Sequence, residues 1–315
     1  MEDLNGRVTE TRGQLLLIAG LSLAVVLVVL ALLLNSAIYT QNLATRGGDL
    51  TDENDVSGVR ESVEHGLREA IQHANRNHDT YADQENAIED SVSSLSDAIE
   101  AYGADDGRIV SVTYQSAVDG TRIFQSSDGK FTDSSALGNW DPATGVDGVR
   151  AFRMDVSRSD LASLGADPPP DTLPLGAAFH VDFAATDTYR MYVYRNGAGQ
   201  TIVAVYENSD LRGYCRDGSG SRTVIDVTDG SVGGQHCEPL DFFESLGTPF
   251  DVQFRSGALA EGTYELTVPV QQASLGSSPP HSEQVIYSTT ATVSYHTPDI
   301  SYETTVTVAP GGPSA

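Results

Sequence analysis

Lysine is almost missing from this chain. Lys130 is the only lysine among eighteen basic side chains, which face forty-four Asp and Glu for a formal net charge of −26. A field of that sign repels DNA, RNA and anionic lipid, which excludes a nucleic-acid partner. Cysteine is scarce too. Cys215 and Cys237 are the only pair, too few for a zinc module. Several chemical signatures are absent: an H-E-x-x-H helix pair, a Gly-x-x-x-x-Gly-Lys phosphate loop, a Gly-x-Ser-x-Gly elbow between strand and helix, and an Asn-x-Ser/Thr sequon. Without a catalytic constellation the expectation is a protein that is not an enzyme, with no catalytic residues, no metal ligands and no cofactor.

What is present in quantity is one apolar run. Leu15–Leu34 is twenty residues long and carries no charge. As a helix it spans roughly 30 Å, the thickness of a bilayer's hydrocarbon core, and a lone segment at that depth satisfies its backbone only as a helix. The lipid bilayer is therefore the first expected partner. Arg7 and Arg12 precede the run, whereas Arg46 alone follows it before the acidic stretch Asp49–Asp55. The positive-inside rule then keeps the N-terminus cytoplasmic and exports the rest, giving a single-pass cell-membrane protein with an extracytoplasmic C-terminal domain. On that side of the membrane Cys215 and Cys237 are expected as a disulfide.

Arg12-Gly13-Gln14 stands directly before the run. This arrangement resembles the class III signal peptides of archaeal type IV pilins and archaellins. The resemblance implies cleavage after Gly13 by a prepilin-type peptidase, Gln14 as the new N-terminus, and retention of the helix as an assembly stem that packs with other pilin-like subunits. The stretch Arg12–Arg46 is similar to haloarchaeal pilin-like envelope proteins, and an acid-rich, lysine-poor composition resembles proteins of salt-loving archaea. In concentrated salt the repulsion among carboxylates is screened. Ile18 stands where bacterial pilins carry glutamate.

The expected organisation is a cytoplasmic leader over 1–13, a transmembrane helix and stem over 14–46, an acidic hinge and helical hairpin over 47–104, and a β-rich extracytoplasmic domain over 105–315. Val56, Val59, Val63, Leu67, Ile71 and Ala74 recur at helical spacing. Asn75–Asp79 reads as a polar link. Thr80, with Asp83 three residues on, caps a second helix bearing Ile88, Val92, Leu95, Ile99 and Tyr102, ended by Gly103. The two apolar stripes face each other or a sheet.

Beyond Arg108 the texture is that of strands. Arg108–Tyr114 and Thr121–Gln125 read as a hairpin turned at Asp119-Gly120, and 126–148 reads as a loop holding Trp140. Val149–Val156, Phe179–Phe183, Tyr189–Tyr194, Thr201–Tyr206, Thr223–Val227, Phe250–Arg255, Tyr264–Val270, Val285–Tyr295 and Ile300–Val308 follow as strands. Pro168-Pro169-Pro170 marks a stiff connection and a candidate subdomain boundary. The fold class is therefore α+β: a transmembrane helix, a helical hairpin and a mainly antiparallel β-sandwich-like ectodomain.

His65, His73, His78, His180, His236, His281 and His296 fall at spacings that suit structural or solvated roles. Asp49–Asp55, Asp217-Gly218 and Asp226–Asp229 lack the ligand spacing of a calcium loop. Together these features point to a membrane-anchored surface structural protein, a type IV pilin-like subunit or accessory component. The alternative is a permanently anchored module that binds a ligand or partner outside the membrane.

Overall fold

A computed structural model of the chain describes residues 52–104, 108–165, 167, 169–171, 173–243, 245–297 and 301–311. The leader, the uncharged run and the processing residues Arg12, Gly13 and Gln14 lie outside them, as does the acidic stretch up to Thr51. Among the described residues no helix is long and apolar enough to cross a membrane. Val59–Ala315 forms one compact unit, and its architecture is two helices followed by two antiparallel sheets packed together.

Helix α1 runs Asp52–Asn77 and α2 runs Tyr81–Ala104. Thr80 caps α2 as its sequence implies: its Oγ1 accepts from the Asp83 N–H at 3.3 Å and donates to Asp83 Oδ2 at 2.7 Å. The expected stripe is buried at Val63, Leu67, Ile71, Ala74, Ile88 and Val92. Tyr102 departs from it. This residue is 67% exposed, because the last turn of α2 carries it past the surface that the earlier turns cover.

The eight-stranded sheet is ordered β10-β9-β8-β3-β12-β1-β13-β14. Its members are β1 (Ile109–Lys130), β3 (Arg150–Ser157), β8 (Arg222–Asp226), β9 (Ser231–Val232), β10 (Gln235–His236), β12 (Glu261–Val268), β13 (His281–His296) and β14 (Ser301–Val308). The six-stranded sheet is ordered β2-β11-β4-β5-β6-β7. It holds β2 (Trp140–Val146), β4 (Phe179–Ala184), β5 (Thr188–Arg195), β6 (Thr201–Glu207), β7 (Asp210–Asp217) and β11 (Phe250–Arg255). Inward residues of both sheets, among them Phe152, Met154, Phe183, Val203, Phe254 and Leu266, share one core. A second core joins the helical stripes to Val112, Ile286, Val293, Val306 and Val308, so β1, β13 and β14 carry the helices on one face. Full burial of each such Leu, Ile or Val contributes roughly 1.5–3 kcal/mol.

Three expectations are overturned. Asp119-Gly120 is not a hairpin turn, because β1 runs unbroken for 22 residues. A register shift between Val118 and Asp119 absorbs the irregularity. Gly120 is required there by close approach: a Cβ would lie 2.8 Å from both Tyr287 Cβ and the Val268 carbonyl oxygen. Second, 126–148 is not one loop. Ser126–Lys130 completes β1, and Trp140–Val146 is an edge strand whose register slips twice against β11. Third, the proline segment is no boundary, since strands before and after it alternate within one sheet. Its described residues, Pro169 and Pro170, belong to a stretch that lies against the outer face of the six-stranded sheet instead. The Arg195 N–H donates to Ala162 O (2.8 Å) and Tyr206 Oη to Pro170 O (2.7 Å). Beneath it lie Tyr192, Tyr194, Ile202 and Tyr206. β7, β9 and β10 are further strands, which the alternation pattern does not predict.

Candidate functional site

The sandwich is closed at one side by the expected disulfide. Cys215 on β7 bonds Cys237, just past β10, across 5.9 Å between Cα atoms. β7 and β10 are terminal strands of the two different sheets, so the bond ties sheet to sheet at their shared edge. Cys237 is 1% exposed and belongs to the sandwich core, and its N–H donates to Gly230 O at 2.7 Å.

Alternation along the strands leaves an open groove of about 310 Å³ on the solvent face of the eight-stranded sheet, lined by Arg122, Phe124, Ser126, Arg153, Asp155 and Glu265. Its floor is internally paired. Arg122 donates to Glu265 Oε2 (2.7 Å) and Glu283 Oε2 (3.2 Å) and lies 4.5 Å from the Phe124 ring centre. Phe124 stacks on His281 at 5.5 Å. Arg222 bridges Asp155 and Asp128, each at 2.9 Å. Arg153 is exposed and makes no ion pair among the described residues.

A buried ionic row crosses the other sheet. Asp182 faces Arg190 in the β4–β5 register and accepts two hydrogen bonds from it, at 2.6 and 2.8 Å. Beside them His180, 2% exposed, shares a 3.1 Å hydrogen bond between Nδ1 and Ala178 O, and its Nε2 lies 3.9 Å from Asp182. Burial lowers the His180 pKa, and Arg190 and Arg255 reinforce that against the hydrogen bond to Ala178 O and the Asp182 charge. The imidazole is therefore neutral near pH 7. The Tyr192 ring centre lies 4.6 Å from that of His180, and its hydroxyl donates to Leu173 O. The spacing of the histidines implies a structural or solvated role for His180 and carries no sign of this row. The available signal was Asp182 and Arg190, placed symmetrically about a short turn.

Two other acidic segments serve turns. Burial works to raise the Asp217 pKa, but hydrogen bonds from Ser219 and Thr223 and the charge of Arg158 outweigh it and hold the carboxyl below its ordinary value. Asp226 Oδ1 accepts from the Asp229 N–H at 3.0 Å. His73 and His78 border a shallow cleft with Asp83 and Asp90 on α2. Among the described residues no three His, Cys, Asp or Glu side chains converge as a metal-ligand set.

Apart from the groove at Arg153 and the cleft at His73 and His78, these polar features are fastenings. Residues 9–146 match the model of a family of unknown function, DUF7261. The match starts before the uncharged run, passes through α1, α2 and β1, and ends with β2, covering less than half the chain. Neither a curated protein nor a solved structure matches the chain.

Proposed function

We propose that this protein is a membrane-anchored structural component of the cell surface, built as a type IV pilin-like subunit or accessory. The observation that carries the reading is Arg12-Gly13-Gln14 abutting the uncharged Leu15–Leu34 run. Leu15–Leu34 serves as anchor and stem, with Met1–Gly13 cytoplasmic and the disulfide-bonded sandwich outside. Removal of the leader, with its two arginines, frees the helix end to exchange lipid contacts for helix–helix packing with other subunits. A single family model matches the run, the helices and β1 together, so the apolar run recurs with the hairpin within that family. Topology tests the reading. Protease added to intact cells is expected to digest a C-terminal tag and spare one at Met1. A protected C-terminal tag overturns the exported arrangement.

A second reading, a permanently anchored binding module, is favoured by one observation. Arg153 faces Glu265 and Asp226 on the neighbouring strands but makes no ion pair among the described residues, at an open groove in a strongly acidic protein, and it suits a carboxylate-bearing ligand. Persistence of Met1 on the mature protein favours this reading over the first.

A further inference from the structure

An exposed sheet edge offers a row of free N–H and C=O groups, and proteins blunt such edges with short strands, prolines, bulges, charges or covering segments. Two sheets give this molecule four terminal strands. β2 contains Pro142 and slips register twice against β11. β7 carries Arg212 and Arg216, is fastened through Cys215, and has the Pro239 ring against Gly213. β10 is two residues long. Among the described residues β14 carries the fewest of these devices. It has eight consecutive register pairs with β13, no proline, no bulge, and Glu303 as its only charge. Among the described residues nothing pairs with its outer edge.

β14 is also held firmly just beyond its last residue. Pro310 O accepts from Arg150 Nη1 at 2.7 Å, and Gly311 O accepts from the Ala151 N–H. Arg150 is 5% exposed. It reaches Ile286 O on β13 at 2.8 Å and lies 5.1 Å from the Tyr287 ring. A buried cation thus braces the strand that carries the open edge.

The geometry points to antiparallel pairing of β14 with β14 of a second copy, centred on Thr305. In an antiparallel pair the facing residues share parity. A centre at Thr305 sets Glu303 against Thr307, Thr304 against Val306 and Tyr302 against Val308, with Thr305 facing its own copy. No like charges oppose each other, although each chain carries −26. The register also extends a row already present, Thr113–Thr292–Thr305. Threonine pairing between neighbouring strands is in use here: Thr290 and Thr307 hydroxyls lie 2.9 Å apart. The partner that fits is a strand poor in charge and rich in threonine, which a second copy supplies. The twofold stands perpendicular to the sheet, so the two helical pairs point in opposite directions along the strands. This pairing is independent of the membrane reading.

The test uses the full chain in detergent with molar potassium chloride, which screens the general repulsion. Thr305→Cys is expected to form an oxidised dimer, and Thr113→Cys, on the same row but two strands inward, is not. Equal cross-linking at both positions, or none at 305, overturns the proposal. Thr305→Glu places two carboxylates face to face beside Glu303 of each copy and is expected to weaken dimerisation roughly threefold or more in sedimentation; an unchanged dimer overturns it. Hydrogen exchange of wild-type β14 serves if the variants misfold. Protection that rises with protein concentration is expected, and protection independent of concentration means that the chain's own residues cover the edge, which overturns the proposal.

Discussion

Asn75 performs a task usually left to a neighbouring strand. Its Oδ1 accepts from the Ile286 N–H at 2.8 Å and its Nδ2 donates to Ile286 O at 3.1 Å. Ile286 sits where β1 and β13 slip register, so an α1 side chain completes a disrupted ladder. Asn75→Ala removes both bonds. The Ile286 carbonyl keeps Arg150 (2.8 Å), so its loss is small, on the order of 0.5–1 kcal/mol. The N–H is left without that acceptor beside a fully buried side chain, at a cost of about 2 kcal/mol. The expected destabilisation is therefore about 2–3 kcal/mol. Asn75→Asp retains the acceptor and loses the donor, and should fall between Ala and wild type. Asn77→Ala, which loses only an exposed bond to His73 O, should change stability by less than about 0.5 kcal/mol. Urea unfolding in molar potassium chloride, followed by Trp140 fluorescence and far-UV circular dichroism, measures all three. If Asn75→Ala unfolds with Asn77→Ala, the amide does not hold the helices to the sheet.

Replacing both Cys215 and Cys237 by alanine opens a loop with a sequence separation of 22 and should cost about 3 kcal/mol in the same assay; reduction of the wild type should match it. The lowered His180 pKa means that the unfolded chain takes up a proton before the native one does. Stability is thus full above about pH 6.5 and falls as the pH drops below it. In His180→Gln, unfolding midpoints measured between neutral pH and the onset of carboxylate titration should lose part of that slope, and an unchanged slope refutes the assignment. With a net charge of −26 the melting temperature should rise from dilute to molar potassium chloride, and a flat response removes the argument for salt adaptation.

The sequence made the helices legible because period and cap agree: Thr80–Asp83 fixes the start of α2, and six stripe positions are buried. The strands β4, β5, β6, β8 and β11 were equally readable, each bounded by turn residues. Errors arose where local signals yield to packing. Asp-Gly is a hairpin signal, yet Gly120 is needed for close contact with Tyr287. β2 and β7 lack clean alternation, as edge strands with irregular pairing or mixed charge do. The sequence showed no sign that the proline segment would shield a tyrosine-rich sheet face. The disulfide is legible because Cys215 and Cys237 are the only two cysteines, but its role in joining two sheet edges depends on strand order.

The mature N-terminus bears most directly on function. Mass spectrometry of the protein purified from native membranes should find an N-terminal peptide beginning at Gln14. Gly13→Val should leave the leader attached, because the scissile residue then carries a branched side chain where the peptidase needs close backbone access. An intact Met1 on the wild-type protein contradicts processing and leaves a permanently anchored surface domain.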